Sequence, residues 1–403
     1  MPFLELQVIS SPAELRTNAA AWDTLWQRSS VTLPGAQAEP LAIWLEEFAP
    51  RATFRALVLR DGPRMVASLP VIERRLAGVL RVGCLPNNYY AMGGDLAIDP
   101  DCDQQQLFGQ LAAALKRLPW RTLMIQDIAI DAPRWRLFQQ ATTDAGMAAE
   151  MEHHWDTGIT DIPHDWKLFM ASRSRKVRSA MKRSFERLRD AGGSELRVLE
   201  NVASHEVEHH LRRGFEVEDR SWKSGAGTSV LRLPRVFRFY CRQAAALAIS
   251  GNLELAFLEH AGRPIGFMYG IHAKGVYYPA KIGYDDQFAA YSPGQLLNCQ
   301  MLERFQENPK LEHLDFHGPI GPAFGRWATR SYRSGQLLVG VRGQLARVVC
   351  RAIPTLRSRL RVLRHRWRGS AAPSFEIYPL QPTGKQQTDS SSDCLAAGEL
   401  TLV

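Results

Sequence analysis

An internal repeat is the feature of this sequence that most limits its fold. In the first half, a helical pattern precedes a hairpin pattern at Ala56–Ile72, which is followed by a strand, a helix and a second strand. The same five elements recur roughly 200 residues later, with the hairpin at Leu253–Ile271. Chance similarity of two hairpins is the competing interpretation, and the matched order of five elements argues against it. The repeat predicts two mixed-sheet α/β (α+β) domains in tandem.

Apolar periodicity places the individual elements. The predicted helices are Ala19–Arg28, Pro40–Phe48, Gln104–Leu118, Arg173–Arg189, Arg235–Ile249 and a helix that begins at Pro293. The predicted strands are two within Arg55–Glu73, Val79–Leu85, Thr122–Ile128, two within Leu253–Ile271, Val276–Tyr284, Leu311–Phe316 and Gln336–Arg342. We place an N-terminal domain with a structural role at residues 1–155 and a C-terminal domain that carries the site at residues 156–342.

Length and cysteine usage limit the class of protein. The 403 residues are long for one domain, and 45% hydrophobic residues supply enough apolar side chains for buried cores. The six cysteines form no C-x-x-C pair, which predicts reduced thiols and neither disulfides nor a metal site. The N-terminus lacks a signal-peptide pattern, and no apolar run approaches membrane-spanning length, so we expect a cytoplasmic protein.

The positive charge is concentrated near the C-terminus. The formal net charge is +9, and Arg342–Arg368 alone contains nine arginines and no acidic residue. We predict a basic helical segment at residues 343–369 and a mostly disordered, Ser-, Thr-, Gln- and Gly-rich tail at residues 370–403. Gln344–Arg368 is a candidate contact with an anionic membrane at its inner face, or a helix packed on the body with solvated arginines. No DNA binding is expected, because the excess charge belongs to this one segment.

The stretch from Val276 to Gln306 predicts a strand, a polar loop and a helix whose first N–H groups are accessible to a ligand. Ser292 is suited to the N-cap, Pro293 to the first helical position, and Gly294 to close approach of another group. Free N–H groups and the positive end of the helix dipole attract anions, of which a pyrophosphate is the expected one. An ordinary capped helix with nothing bound is the alternative.

The corresponding loop of the first half is acidic. Its carboxylates are those of Asp95, Asp99, Asp101 and Asp103. Carboxylates at the helix start would occupy the anion site themselves and repel a phosphate. In the second half, Asp285 and Asp286 lie well before the helix. We therefore expect the second half to bind the anionic cofactor, and we expect the first half to form one wall of the substrate cleft.

A strongly basic helical stretch, Arg173–Arg189, lies between the halves. Its apolar residues Val177, Met181, Phe185 and Leu188 recur every three or four positions, so they should be buried while the cations face outward. The cations form either a solvated face or a cationic wall near cofactor phosphates or an acidic acceptor.

Several segments of the second half resemble one family in the same order. They are Ser174–Leu188, Ser221–Gly225, Ala261–Gly266, Lys281–Leu297 and Leu314–Gly321. Together they resemble the GNAT-superfamily acyltransferases of the CelD/BcsL type, which are linked to cellulose and other exopolysaccharide production. These are distant relatives of the Fem-type aminoacyl ligases, which also carry two GNAT-like halves. The resemblance covers roughly Leu4 to Val341 and is most specific over Tyr284–Leu297.

This resemblance implies two GNAT-like domains in tandem, with acetyl-CoA or another acyl-CoA as co-substrate. Backbone N–H groups of Gln287–Leu296 would cradle the pyrophosphate, and only Gly294 remains of the usual glycine-rich version. The cofactor-binding residues would be Tyr291, Ser292, Pro293, Gly294, Gln295 and Leu296. The strand that precedes them should separate from its neighbour, and Pro279 within it predicts an edge or a bulge.

Acyl transfer from a thioester needs a base, donors for the oxyanion and a proton source for the thiolate. His317 and Asp315, two residues apart in a strand, should point to the same side of the sheet, where a histidine beside a carboxylate suits a general base. The alternative makes His317 a hydrogen-bonded turn residue and Asp315 a structural acceptor.

Other polar residues of the same region are candidates for binding and proton transfer. Lys281 would bind a donor phosphate or an acceptor carboxylate, Tyr284 or Tyr291 would protonate the thiolate, and Asp285 would hold an acceptor amine. Trp222 and Lys223 either line the acceptor site or are simply a buried tryptophan and a surface lysine.

The sequence thus predicts an acyltransferase that acts on an amine or hydroxyl of a small molecule or sugar. One alternative is a Fem-like aminoacyl transferase that uses charged tRNA, with Arg173–Arg189 supplying phosphate contacts. A second alternative is a non-catalytic GNAT-like scaffold docked at the membrane surface through Gln344–Arg368.

Overall fold

The structure is a computed structural model that describes residues 4–76, 78–162, 164–225 and 227–344, with residues 346, 348 and 350. The predicted basic segment 343–369 and tail 370–403 lie outside the described residues, apart from positions 343, 344, 346, 348 and 350. Within the described ranges, no helix has both the length and the apolar character needed to cross a membrane.

The described strands are β1 (Glu5–Ile9), β2 (Phe54–Asp61), β3 (Arg64–Leu76), β4 (Leu80–Cys84), β5 (Ala97–Ile98), β6 (Thr122–Ala129), β7 (Ala148–Asp161), β8 (Glu195–Leu199), β9 (Leu253–His260), β10 (Arg263–Ala273), β11 (Val276–Tyr284), β12 (His313–Pro319) and β13 (Arg330–Gly340). The described α-helices are α1 (Pro12–Thr17), α2 (Ala19–Arg28), α3 (Ala38–Phe48), α4 (Gln104–Ala114), α5 (Pro133–Asp144), α6 (Trp166–Ser172), α7 (Arg175–Asp190), α8 (Val207–Asp219), α9 (Trp222–Gly225), α10 (Pro234–Ile249), α11 (Pro293–Phe305) and α12 (Pro322–Gly325). Short 3₁₀ helices occur at Pro34–Ala36, Leu115–Arg117, Val230–Arg232 and Asp286–Tyr291.

The elements of the predicted repeat are confirmed. Strand β11 and helix α2 have the predicted bounds, and both hairpins occur as β2/β3 and β9/β10. Strand β7 was not predicted. Its central residues Glu150, Glu152 and His153 are polar and its side chains are largely half-buried, so the apolar alternation that indicates a strand is missing.

All thirteen described strands form one mixed sheet in the order β1-β2-β3-β4-β6-β13-β7-β12-β11-β10-β9-β8, with β5 paired to β3. The parallel pair β4/β6 of the first half corresponds to the parallel pair β11/β12 of the second half. The order of strands on one side of the centre therefore mirrors the order on the other side. This is the arrangement expected from a structural duplication.

The two halves exchange their last strands. Strand β7 follows the first half in sequence but pairs with β12, whereas β13 follows the second half but pairs with β6. β7 and β13 also pair with each other along their length, from Arg330 opposite Ile159 to Gly340 opposite Ala148. The domain boundary predicted between residues 155 and 156 falls inside β7, and the division into two domains stays a prediction.

A bulge in the central pair requires glycine. The register of β13 on β7 shifts between Ser334 and Gly335. A Cβ atom added at Gly335 would lie 1.9 Å from the carbonyl oxygen of Glu152, so the two backbones approach too closely for any side chain. Beside this bulge, the buried hydroxyl groups of Ser334 and Thr157 are hydrogen-bonded at 2.7 Å.

The helices cover both faces of the sheet. In β2, the side chain of Ala56 joins one apolar cluster while that of Leu57 joins another, because successive residues of a strand face opposite sides. In β9, Leu255 belongs to the same cluster as Ala56, whereas Ala256 belongs to a third. One face, which carries α2, α3, α8 and α10, thus has a core shared by both halves. The other face has a separate core in each half.

The helices α3 and α10 join the halves on the shared face. The rings of Phe48 and Phe239 are in contact, with centroids 4.7 Å apart. Beside them, the buried carboxylate of Glu47 accepts hydrogen bonds from Arg238 and Arg242, with ion-pair distances of 2.8 Å to each. An apolar contact and a charge-assisted contact therefore hold the halves in one orientation.

We predict that Gly335→Ala lowers the free energy of unfolding by about 2 kcal/mol or more, because the new methyl group must push β13 away from β7. Chemical denaturation followed by circular dichroism measures the change. The control is Gly109→Ala in α4, where an added Cβ meets nothing within 4 Å. That variant should gain roughly 0.5–1 kcal/mol, because alanine favours a helix. Equal stability of Gly335→Ala and the wild type would contradict the close approach.

Candidate functional site

The strands β11 and β12 separate from each other after a short parallel pairing. Val276 is opposite His313 and Tyr277 is opposite Leu314, and beyond these positions the strands no longer pair. The register between β10 and β11 shifts beside Pro279, which has no N–H to donate, so the predicted bulge is confirmed. A cavity of about 120 Å³ lies in the opening, between β11, β12 and a loop of the first half.

The start of α11 lies beyond the end of β11 and is open. Ser292 occupies the predicted N-cap position, but it adopts the left-handed conformation, at φ 53°, and its side chain makes no capping hydrogen bond. The predicted side-chain cap is therefore wrong. The amides of Gln295 and Leu296 both donate to the Ser292 carbonyl, at 2.9 and 3.1 Å. The amide of Gly294 has no hydrogen-bond partner among the described residues.

The corresponding helix of the first half is closed by its own carboxylate. Asp103 accepts a hydrogen bond from the Gln106 amide at 3.1 Å and caps α4. The buried Asp99 forms ion pairs with Arg28, at 2.6 Å, and with Arg64, at 2.5 Å. The contrast predicted between the two helix starts is thus confirmed. An anion would have to displace Asp103 in the first half, but would meet a free N–H in the second.

Asp285 anchors the loop between β11 and α11. Its carboxylate is fully buried and contacts Arg220 at 2.7 Å and Arg263 at 2.6 Å. It also accepts a hydrogen bond from the Gln287 amide at 3.0 Å and so caps the 3₁₀ helix Asp286–Tyr291. These contacts use the acceptor capacity of the carboxylate. The role predicted for Asp285, which is to hold an acceptor amine, stays untested.

The remaining predicted residues of this region lie around the same opening. The ammonium of Lys281 lies over the rings of Tyr89 and Tyr90, at 5.1 and 5.3 Å from their centroids. The half-buried Tyr284 contacts the helix start, since a Cβ added at Gly294 would lie 3.5 Å from its ring. Burial raises the pKa of Tyr284, and nearby Asp286 adds to the rise, so the phenol keeps its proton at neutral pH.

Four predicted cofactor-binding residues are also placed by contacts within the chain. Pro293 and Leu296 are buried, while the ring of Tyr291 is half-buried against the core of α11. The side chain of Gln295 accepts a hydrogen bond from the Trp327 indole at 2.9 Å. The side chains of the predicted acceptor residues Trp222 and Lys223 lie outside the described part of the structure.

The carboxylate of Asp315 contacts the backbone amide of His317. His317 adopts a left-handed conformation, at φ 51°, where the register of β12 on β7 shifts. Strand alternation, from which we predicted a shared side for the two residues, does not apply at His317 because it holds only for extended residues. The predicted pairing of the two side chains as base and carboxylate stays a prediction. Asp315 accepts a hydrogen bond from the His317 amide at 2.7 Å and one from the Tyr332 hydroxyl at 3.1 Å. The imidazole packs against the Tyr278 ring, with centroids 5.5 Å apart.

A second cavity of about 180 Å³ lies between the two halves. Asp315, His317 and Tyr332 of the second half line it together with Asp127 and Arg134 of the first. Both cavities are lined by Leu33, Met92, Tyr278, Asp315 and His317. His317 therefore lies where the opening between β11 and β12 meets the space between the halves.

Asp127 was missed by the sequence analysis. It lies in β6, the strand that corresponds to β12, and like His317 it adopts a left-handed conformation, at φ 61°. Each residue lies at a register shift beside an exchanged strand. Extending the repeat alignment to the ends of the last strands would have pointed to this position.

The basic helix α7 packs against the 3₁₀ helix Asp286–Tyr291 and against α11. Met181 and Leu188 are buried in that core, and Val177 and Phe185 are half-buried, so the predicted apolar stripe is confirmed. The helix α7 thus lies beside the 3₁₀ helix that leads into α11, and its cations are exposed. This position suits the predicted cationic wall, and a solvated face remains the alternative.

Comparisons with known proteins bear on the fold and on part of the second half. Residues 175–324 match the family model described as an acetyltransferase (GNAT) domain. FemX is similar over 86% of this chain and 100% of its own, with a TM-score of 0.56 at 11% identity. A conserved protein of unknown function from Bacteroides thetaiotaomicron is similar over 84% of this chain and 99% of its own, with a TM-score of 0.52 at 10% identity.

A tandem GNAT protein from the clavulanic acid biosynthesis pathway is similar over 84% of this chain and 100% of its own, with a TM-score of 0.45 at 14% identity. Comparison with curated proteins gives no match. The predicted mixed α/β fold is confirmed, and the match to a GNAT-type acetyltransferase domain covers residues 175–324 of the second half. The finer assignment to the CelD/BcsL type stays a prediction.

We predict that Asp285→Asn lowers the free energy of unfolding by about 2–3 kcal/mol, because two guanidinium groups lose their shared carboxylate. Thermal and chemical denaturation measure the loss. The matched control is Asp286→Asn at the exposed neighbouring position, which should change stability by less than about 0.5 kcal/mol. Equal losses in both variants would rule out the anchoring role.

Proposed function

We propose that this protein is an acyltransferase that moves an acyl group from acetyl-CoA or another acyl-CoA to an amine or hydroxyl of a small molecule or sugar. The observation that carries the proposal is the open start of α11 beside the separating strands β11 and β12. This arrangement lies within residues 175–324, the part of the chain that matches an acetyltransferase domain.

The donor is proposed to bind with its pyrophosphate at the start of α11. The free amide of Gly294 and the positive end of the helix dipole would hold the phosphate oxygens. The cations of α7 would add attraction without direct contact. The thioester would then lie in the opening between β11 and β12, whose unpaired edges leave backbone groups for its carbonyl.

The catalytic roles follow from the positions of the side chains. The acceptor attacks the thioester carbonyl carbon, the carbon–sulfur bond breaks, and the sulfur takes a proton. His317 lies at the junction of the two cavities and is proposed as the base for the acceptor. Asp315 would position it by holding its backbone amide. Tyr284, whose phenol stays protonated, is proposed to protonate the leaving thiolate.

We predict that Gly294→Val weakens CoA binding by at least about tenfold, because the side chain would cover the only free amide described at the helix start. The fold should persist, since a Cβ at this position makes only an ordinary contact with Tyr284. Calorimetric titration of wild type and variant with CoA and acetyl-CoA measures the effect, with Gly109→Ala as the control that keeps full affinity. Unchanged affinity of Gly294→Val would remove the donor site from α11.

We predict that His317→Ala lowers kcat about 100-fold or more while the affinity for CoA changes little, because the base acts on the acceptor. His317→Asn removes the base without adding backbone strain, since asparagine accepts the left-handed conformation but cannot act as the base. Both variants should therefore show the same large loss of kcat. Full activity of either variant at every pH would exclude His317 as the base.

The exposed cations of α7 also allow a second reaction, aminoacyl transfer from charged tRNA. Its exposed cations would suit the phosphates of a charged tRNA if the chain were a Fem-like aminoacyl transferase. Steeply salt-dependent tRNA binding would favour that reaction. Absence of tRNA binding at low salt would exclude it. A role in exopolysaccharide metabolism, a cytoplasmic location and a scaffold function at an anionic membrane remain proposals that rest on the sequence.

A further inference from the structure

The turn between β3 and β4 projects from the sheet. Strand β2 ends its pairing with β3 where Phe54 is opposite Ile72, and β6 pairs with β4 only where Leu123 is opposite Gly83. Strand β3 nevertheless continues to Leu76, and its last residues pair with β4 alone. The turn and the residues next to it thus form a two-stranded ribbon beyond the body of the sheet. A two-stranded ribbon is only marginally stable in water by itself.

The tip of this ribbon is aliphatic and exposed. Val79 is 85% exposed and Leu80 is 39% exposed. A Cβ atom added at Gly78 would meet nothing within 4 Å, so no other part of the described chain covers the turn there. Exposed aliphatic residues are common one at a time, and the meaning of this tip therefore depends on the charges around it.

The corresponding turn of the second half is packed against the first half. It joins β10 to β11, and the ammonium of its Lys274 donates to the carbonyls of Ser29 and Val31 at 2.9 and 2.7 Å. The two turns occupy equivalent places in the repeat, but the β3/β4 turn ends in solvent. It is thus available to a partner outside the chain.

Two arginines face each other at the base of the tip. Arg75 of β3 is directly opposite Arg81 of β4, and both are exposed. Like charges at directly opposite positions destabilise an antiparallel pair. Glu73 compensates them weakly, because its carboxylate is 3.8 Å from Arg81 and also accepts a hydrogen bond from the Trp120 indole at 3.2 Å. Phosphate groups outside the chain would relieve the repulsion, since a guanidinium binds phosphate with two parallel hydrogen bonds.

More cations lie along the same edge of the sheet. The segment before β6 is at this edge because β6 pairs with β4 near its start. The end of β13 is there because the Val341 amide donates to the Arg121 carbonyl at 2.9 Å. Glu73 and Asp144 are too few to balance these cations. We define the basic edge as the exposed residues Arg75, Arg81, Lys116, Arg117, Arg121 and Arg342.

The basic C-terminal sequence begins at this edge. The guanidinium of Arg342 donates to the Leu118 carbonyl at 2.6 Å. The sequence Arg342–Arg368 contains nine arginines and no acidic residue. An anionic surface that contacts the basic edge would therefore also contact the start of this sequence.

We propose that the protein docks on an anionic lipid bilayer through the β3/β4 turn and the basic edge. Val79 and Leu80 enter the headgroup layer, while Arg75 and Arg81 bind lipid phosphates. A bilayer fits better than a nucleic acid, because residues 75–81 offer aliphatic side chains and no aromatic ring on which a base could stack.

Docking in this orientation keeps the candidate site away from the bilayer. The tip lies at the start of β4, whereas the loop after the end of β4 supplies Asn87 and Met92 to the cavity between the halves. Membrane docking goes beyond the proposed acyl transfer and does not rest on it. Vesicle binding and CoA binding can therefore be measured separately.

The test measures binding of the full chain to lipid vesicles by co-sedimentation. One set of vesicles contains equal parts of phosphatidylglycerol and phosphatidylcholine, and the neutral set contains phosphatidylcholine alone. The wild type should partition onto the anionic vesicles about tenfold or more better than onto the neutral ones. Added salt should weaken this binding, because it screens the arginines from the lipid phosphates.

The first variant changes the aliphatic tip. Val79→Asp should lower partitioning onto anionic vesicles about tenfold or more, because it places a carboxylate where the tip enters the headgroup layer. The matched control is Leu168→Asp on α6 of the second half, where Leu168 is an exposed aliphatic residue, at 70%, outside the basic edge. Both substitutions are at exposed positions, so the melting temperatures should stay near that of the wild type.

The second variant changes the facing arginines. Arg75→Gln combined with Arg81→Gln should also weaken vesicle binding about tenfold or more, and it should not destabilise the fold because it removes a like-charge pair. The control with the same change of net charge is Arg235→Gln combined with Lys310→Gln, at exposed positions of the second half. That control should bind vesicles nearly as well as the wild type.

Four results would overturn the proposal. The first is wild-type binding that is absent or equal on neutral and anionic vesicles. The second is wild-type affinity in both tip variants, which would assign vesicle binding to Arg342–Arg368 without the tip. The third is an equal loss in variants and controls, which would reduce binding to overall charge. The fourth is salt-sensitive binding of tRNA that the tip variants lose, without vesicle binding, which would assign the basic edge to a nucleic acid.

Discussion

The antiparallel pairing of β7 with β13 is the interaction on which the rest of the structure depends. Each strand belongs to one half by sequence and extends the sheet of the other half by hydrogen bonding. Without this exchange, β6 and β12 would each present an unpaired strand edge, which is unfavourable in a folded domain. The exchange joins two similar sheets into one and aligns the helices α3 and α10 that pack across the boundary.

The exchange also makes the site possible. β12 remains paired with β7 on one edge, so it can separate from β11 on the other edge without losing all its backbone partners. The same geometry occurs in the first half, where β4 and β6 pair only at Gly83 and Leu123 while β6 continues beside β13. The hydroxyl of Tyr332, carried into the centre by β13, reaches Asp315 of β12. Positioning of the proposed base therefore depends on a strand added late in the chain.

The two halves share a frame but differ in the chemistry at equivalent positions. A carboxylate caps α4, whereas the start of α11 leaves an amide free. Some acidic side chains of the first half pair with arginines of the same half, as Asp99 does with Arg28 and Arg64, whereas Glu47 pairs with Arg238 and Arg242 of the second half. Asp127 faces the cavity shared with the second half. The first half thus caps the start of its own helix α4, and it contributes residues to the cavity that it shares with the second half.

The sequence by itself determined the repeat, most helices and strands, and the contrast between the two helix starts. These are local properties, since apolar periodicity and capping residues act within a few positions of the chain. Only the tertiary structure decided the strand exchange, the left-handed backbone at Asp127 and His317, and the cavity between them. The polar residues of β7 break the apolar alternation by which a strand is predicted. The need for glycine at position 335 follows only from the backbone of Glu152, which belongs to another strand. Contacts between residues far apart in sequence leave no periodic pattern, because they depend on how the finished elements pack.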